Sequence, residues 1–357
     1  MRRALGVIAS SVFAIALVLL PAAPALAHGG SKFAVTSDYS TAVTSISPDT
    51  SGLQVKVIDI AGDLQLTWNG SGTVIVDGYS GEPSLRISAA GVERNIRSTA
   101  TYLNTTRYIT SIPPAIADDT APPQWDLLTA KRSFTWHDHR THWMSPIPPE
   151  QVQAHPDQTT VIDADWKIPL VVNGTAVTVN GTLSWVPPPS RAAWFGAAAL
   201  IAIVIGLALF SRWWRRVTVG LAAIGLIAFL VDTFGYYHAA AAGSTNIIWV
   251  TLWPVVAVAA TVWIAVDMRS RPEHPTLSVA ILAVVLAVVG GIDRIDSIMN
   301  SEIYSTWPDW VPRACATASV AIAAAFLVRF LADVVPTLMS RPATIKGRRG
   351  SPASTGN

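Results

Sequence analysis

Apolar and polar residues alternate along the first half of the chain and give way to long apolar runs in the second. The runs "LQVKVIDI" (53–60), "LQLTW" (64–68), "TVIVDGY" (73–79) and "SLRIS" (84–88) are short, alternating or β-branched. A period of two puts successive side chains on opposite faces, so each run predicts a half-buried strand. Asn-Gly pairs at 69–70 and 173–174 are hairpin signals, because both central positions of the tight turn need φ > 0. The stretch "KIPLVVNGTAVTVNGTLSWV" (167–186) predicts strand, tight turn and long strand, with Asn180-Gly181 a second turn or a bulge. Residues 28–190 carry no long helical period. They predict an all-β sandwich, or two small β units joined in the proline-rich stretch 112–124.

The second half reads differently. Five apolar runs, about 193–211, 217–237, 246–267, 276–292 and 313–335, each approach the roughly 20 residues that cross a bilayer. Arginines follow the first, third and fifth runs: Arg212, Arg215 and Arg216, then Arg269 and Arg271, then Arg341, Arg348 and Arg349 with Lys346. The connection 233–246 has no Lys or Arg, and 293–312 holds Arg294 before the fifth run. Basic residues stay on the cytoplasmic side. The alternation predicts an ectodomain outside the cytoplasm, a transmembrane region at 193–336 and a disordered cytoplasmic tail at 337–357. "MRR", an apolar core and Ala25-Leu26-Ala27 make residues 1–27 a signal peptide by pattern. Cleavage there makes His28 the first mature residue.

Composition agrees and narrows the function. Charged residues are 13% of the chain, against roughly 25% in soluble proteins. The net charge of +2 gives no reason to expect a nucleic-acid partner. Cys315 stands alone, so no disulfide forms within the chain. Gly-x-Ser-x-Gly, phosphate-loop, dinucleotide and His-Glu-x-x-His patterns are all missing from the sequence. An enzyme is therefore not the leading expectation.

Three of the seven histidines fall within "FTWHDHRTHW" (134–143). On a strand, His137 and His139 share a face and can reach one ion, with Asp138 and Arg140 opposite and serving folding. His142 joins them only if the chain bends after Arg140. Imidazoles suit copper, zinc or nickel, and an exported compartment makes copper or zinc the natural cofactor. A mature N-terminal His28 adds an amine and an imidazole in one chelate, a donor set favoured by Cu(II), and Gly29-Gly30 gives it reach. The bland alternative is a polar strand held by Trp136 and Trp143.

His28-Gly29 together with Trp136-His137-Asp138-His139 resembles the copper-binding pattern of the exported β-domain found in the particulate methane monooxygenase family. In that pattern a leading His and a Trp-His-x-His segment share one copper. The family C copper-resistance proteins likewise begin with His on an Ig-like sandwich. The resemblance implies a cupredoxin-like or Ig-like ectodomain with copper at His28, His137 and His139. One ectodomain followed by five spans departs from the monooxygenase pattern, which has two such domains around two spans. The blocks "GVERNIRS", "YLNTTRY" and "WHDHRTHWM" are also similar to exported actinobacterial membrane proteins of unassigned function, a likeness that implies no activity.

Other ionisable groups have plainer readings. Asp118-Asp119 sit in a loop and read as a solvated turn, and Asp163 and Asp165 as a polar strand face that could alternatively turn to His137. Asp232, His238, Asp293 and Asp296 fall at the ectodomain's end of the spans. Ionisable groups at membrane depth are functional candidates; the structural reading pairs Asp293 with Arg294 or Arg313. Arg329 and Asp333 read as an i,i+4 pair. The leading expectation is a multi-pass cell-membrane protein whose extracytoplasmic domain binds copper, or zinc, for handling or sensing at the cell surface. The alternatives are a module docking a cell-envelope protein partner, and a small transporter fed by the ectodomain. A reporter fused at Gly350 is expected to read out as cytoplasmic and one within 239–245 as external; the opposite pattern would overturn the five-span arrangement.

Overall fold

The computed structural model describes residues 37–105, 111–239, 247–270 and 277–339. The expected signal peptide, His28 and most of the expected tail lie outside the described residues. The first part is antiparallel β-sheet: β1 (Tyr39–Ser47), β2 (Leu53–Val57), β3 (Leu64–Trp68), β4 (Val74–Asp77), β5 (Pro83–Ser88), β6 (Gly91–Asn95), β7 (Trp125–Thr129), β8 (Ser133–Trp136), β9 (Thr160–Val172) and β10 (Thr175–Trp185). A seven-stranded sheet runs β1-β10-β9-β4-β5-β6-β7, and a three-stranded sheet runs β2-β3-β8.

The two halves flanking the proline-rich stretch interleave. β1 pairs with β10, β4 with β9, β6 with β7 and β3 with β8. Each of these ladders joins a strand before 112 to one after 124, so the two-unit alternative fails. One core results, with Leu64 and Leu66 from the small sheet against Val74, Ile87, Ile168 and Leu170 from the large one. Alternation drives it: in β3 the apolar Leu64, Leu66 and Trp68 are buried and Gln65 and Thr67 are not. Each fully buried Leu or Ile contributes about 1.5–3 kcal/mol.

The two Asn-Gly signals behave differently. At 173–174 the residues take φ of 50° and 83° and close the β9–β10 hairpin, whose register pairs Val172 with Thr175. At 69–70 the chain instead crosses from the small sheet to the large one, since β3 and β4 belong to different sheets. Gly70 lies against the Trp68 ring, 2.2 Å from where a Cβ would sit, so the glycine serves close approach there. At 180–181 the bulge reading holds: the β10–β9 register slips between Gly181 and Leu183.

Five helices among the described residues are long and apolar enough to cross a membrane, over Arg191–Leu209, Trp214–Ala239, Thr251–Ser270, Leu277–Arg294 and Trp310–Val334. The chain is thus a multi-pass membrane protein by architecture. The fifth helix is central and packs on the first, second and fourth. Half of its apolar window is buried, against 11% for the first helix, whose apolar surface is mostly uncovered. Arg329 pairs with Asp333 at 3.1 Å, as the i,i+4 spacing implies.

The β-domain sits on one end of this bundle. The Ser301 amide donates to Asp38 Oδ1 at 2.7 Å and the Glu302 amide to the Ser37 carbonyl at 3.1 Å. Arg191, opening the first helix, donates to the Met299 carbonyl at 3.1 Å. Arg212, Arg215 and Arg216 follow the end of that helix, with their guanidinium groups over Trp213 and Trp214. Within the β-domain, a Cβ on Gly181 would lie 2.1 Å from the Trp166 ring and 2.4 Å from the Ala42 carbonyl. Gly181→Ala is expected to destabilise the β-domain by roughly 1–3 kcal/mol through overpacking, read as a lower thermal midpoint by circular dichroism; an unchanged midpoint would show that the bulge has slack.

Candidate metal centre

The "FTWHDHRTHW" segment is a strand only as far as Trp136. β8 stops there because Asp138 turns the chain: its Oδ1 accepts from the Arg140 amide at 3.1 Å and caps a single 3₁₀ turn over His139–Thr141. The expected strand, with His137 and His139 on one face and Asp138 and Arg140 on the other, is therefore corrected. The turn is what brings His142 back. His137, His139 and His142 are all buried, and each offers one ring nitrogen within 4.8 Å of the others'.

Sequence alternation gives no sign of the polar contacts that support this turn. Asp138 is 1% exposed and is held by Arg140 through two bonds of 2.8 Å, Nε to Oδ1 and Nη2 to Oδ2. The Trp136 indole adds a 3.2 Å bond to Oδ2. Burial works against the Arg140 charge, and the bonds and charge of Asp138 more than restore it. Arg140 also donates to the Asp77 carbonyl at 3.1 Å and lies 5.1 Å over the Tyr79 ring. Tyr79 stacks on His139 and its hydroxyl accepts from the His139 amide at 3.1 Å. Burial first, then the Asp138 carboxylate, hold that hydroxyl protonated far above neutral pH. The Thr141 hydroxyl reaches the Gly62 carbonyl at 2.8 Å and the Asp138 carbonyl at 2.7 Å.

The carboxylate beside the histidines is Asp63. Its Oδ1 lies 2.7 Å from His137 Nδ1, and Asp63 is 5% exposed. Asp163 and Asp165, the alternative acids for that place, stay on β9; Asp165 pairs with Lys167 at 3.0 Å on the surface. Asp63 immediately precedes the "LQLTW" run, so only the β3–β8 pairing, Leu64 opposite Trp136, puts it next to His137. No local pattern signals a contact across 74 residues.

These partners fix the ring tautomers. His142 Nδ1 faces the Trp143 carbonyl at 3.0 Å, an acceptor only, so Nδ1 carries the proton. His137 Nδ1 likewise donates to the Asp63 carboxylate. With both rings neutral, the two Nε2 atoms turn their lone pairs on one another at 2.8 Å. Facing lone pairs repel unless a positive centre, a shared proton or a metal ion, lies between them. Carboxylate or carbonyl on Nδ1 with Nε2 presented inward is also the arrangement that orients metal-binding imidazoles. The donor set fits a metal ion; it does not select which one. A cavity of about 340 Å³ reaches His137 and Asp63 past Trp136, Phe134, Arg94 and Asn104.

The membrane-side acids also gather, in part. Asp232, Asp293 and Asp296 line one cavity of about 30 Å³ with Arg294, Tyr236 and Tyr304. The expected pairing is corrected: Arg294 joins Asp232 of the second helix at 2.8 Å, and Arg313 donates instead to the Ser297 and Ser301 carbonyls with Asp309 at 3.7 Å. His238 packs on Phe234 at 4.2 Å between ring centres and does not line that cavity. In the proline-rich loop, Asp119 is no free turn residue: it accepts from the Thr99 amide at 2.7 Å and from Ser80 Oγ at 2.9 Å.

Fold and site together define a multi-pass membrane protein carrying a β-domain with a buried three-histidine group that could hold a metal ion. No protein-family model, curated protein or solved structure matches the chain. Arg140→Ala leaves the buried Asp138 carboxylate without its partner, and is expected to cost about 3–5 kcal/mol of β-domain stability. Adding Asp138→Ala should recover part of that loss. Equal melting of the single and double variants would refute the pairing as the turn's support.

Proposed function

We propose that the β-domain lies outside the cytoplasm and binds copper, or zinc, through His137, His139 and His142, and that the chain handles or senses that metal at the cell surface. The observation that carries this reading is the inward presentation of Nε2 on His137 and His142, each anchored through Nδ1 by Asp63 or the Trp143 carbonyl. Three neutral nitrogen ligands suit either metal and leave a further coordination position open.

His28 is a fourth ligand in this reading, as the resemblance to copper-binding exported β-domains implies. Its reach supports the assignment. From His28 to Ser37 the chain spans up to roughly 30 Å when extended. β1, entered just after Ser37, passes the site: a Cβ on Gly62 would lie 3.4 Å from Thr41 of β1 and 2.9 Å from the Thr141 hydroxyl. The outward orientation rests on the arginines at the far end of the bundle. A transport role is the second reading, favoured by the Asp232–Arg294 pair within the helices.

The full chain purified in detergent is expected to bind copper or zinc at micromolar concentrations with one ion per chain. His137→Ala and His139→Ala should abolish binding. Asp63→Asn should weaken it about 10–100-fold, because the imidazole loses its orienting carboxylate. An extra residue before a mature His28 should weaken copper more than zinc. A chain that takes up neither metal would end this reading and leave the docking module in the lead.

A further inference from the structure

The turn between β2 and β3 touches two places at once. On one side Asp63 accepts from His137 and the Gly62 carbonyl accepts from Thr141. On the other side Asp59 and Ile60 line a cavity of about 480 Å³ between the β-domain and the bundle, shared with Glu302 and Tyr304. The turn is closed on itself. The Asp63 amide donates to Asp59 Oδ1 at 2.9 Å, the Gly62 amide to the Asp59 carbonyl at 3.2 Å, and the Ile58 amide to the Asp63 carbonyl at 2.9 Å. A segment tied this way moves as a unit, so a shift at one end reaches the other.

Tyr304 is its contact on the membrane side. It belongs to the connection between the fourth and fifth helices. Its hydroxyl is buried, faces the Ile60 amide of that turn, and lies in the field of the Asp59 and Asp63 carboxylates. Burial first, then those carboxylates, keep the hydroxyl protonated and so available as a donor. The Tyr304 ring meets the Tyr236 ring edge-on at 6.3 Å. Tyr236 lies 4.0 Å under the Arg294 guanidinium, and Arg294 pairs with Asp232 at 2.8 Å. The turn, Tyr304, Tyr236 and Arg294 therefore lie in series between the histidines and a buried ion pair among the helices.

We propose that Tyr304 is a positioning residue for the metal centre: through the Asp59–Asp63 turn it ties His137 to the Arg294–Asp232 pair, so that metal binding and the packing of the second, fourth and fifth helices are coupled. The inference rests on the metal-binding reading above and supplies its route to the membrane. Coupling of this kind is reciprocal: what the helices do to metal affinity, metal does to the helices.

The experiment uses the full chain in detergent with Zn(II), whose affinity is read by chelator competition and whose effect on the backbone is read by hydrogen exchange with mass spectrometry. In the wild type, zinc should slow exchange at 58–63 and 137–142 and also at 299–305. Tyr304→Phe removes only the hydroxyl and Tyr304→Leu removes the ring. At an unchanged thermal midpoint and one zinc per chain, either change should lower affinity by about fivefold or more and abolish the protection at 299–305. Arg294→Gln should do the same from the far end. If Tyr304→Leu fails to fold, Tyr304→Phe and Arg294→Gln decide. Protection confined to the β-domain, or affinities in the folded variants within about twofold of wild type, would overturn the coupling and leave metal binding standing. A wild type that binds no zinc or copper would overturn both.

Discussion

Three imidazoles packed together out of water set the constraint from which the site follows. Each ring has two nitrogens, and a buried polar atom without a partner costs about 1–3 kcal/mol. For His137 and His142 the outer nitrogen is given to an acceptor, Asp63 or the Trp143 carbonyl. That choice leaves the inner nitrogens facing each other at 2.8 Å, where a shared proton or a metal ion resolves the clash of lone pairs. A site meant only to pack would be filled more easily by apolar rings. The anchoring of Nδ1 is what makes the group read as a donor set.

The sheet arrangement lets the backbone meet that constraint. β8 is an edge strand of the small sheet and is only four residues long, so its chain can leave the ladder at Trp136 without breaking a central pairing. Asp138 then does two jobs. As the cap it starts the turn, and as a buried carboxylate it holds Arg140, whose far end reaches the Asp77 carbonyl at the end of β4 in the large sheet. The turn is thereby clamped between both sheets. Asp63 arrives from β3, the immediate neighbour of β8. Two adjacent strands of one small sheet thus supply a histidine of the group and the carboxylate that orients it.

The architecture is legible in the sequence because both of its signals are local. Period-two alternation marks strands such as Leu64–Trp68, and apolar length marks the spans. What stays hidden depends on which strands meet. Whether 112–124 separates two units or crosses within one is decided by the β1–β10 and β4–β9 ladders, and no window of residues contains both partners. The same holds for Asp63, and for Arg294 choosing Asp232 over its neighbour Asp293. The histidine segment misleads for a subtler reason. Alternation of Trp136, Asp138 and Arg140 with histidines imitates a strand, but a carboxylate that bonds its own backbone two residues on competes with the ladder, and at an edge it wins.

The β-domain is held to the membrane by more than its linker. The start of β1 and the end of β10 leave from one corner, where Tyr39 pairs with Trp185 and the Val186 amide donates to the Asp38 carbonyl. The Asp38 carboxylate accepts from Ser301 at that corner, and the Ser37 carbonyl from Glu302. Burial pushes both the Asp38 and Glu302 carboxyls above their ordinary range, although Ser301 and Ser40 hydrogen-bond to them. A chain that needed only a tether would leave these acids in water. Here the connection between the fourth and fifth helices is wedged between β1 and the bundle, and Trp307, a few residues on, donates to the Val231 carbonyl of the second helix. One segment therefore touches the β-domain at Ser301 and Glu302 and the second helix at Trp307. It lies between the β-domain and the helices, beside the covalent link from β10 into the first helix.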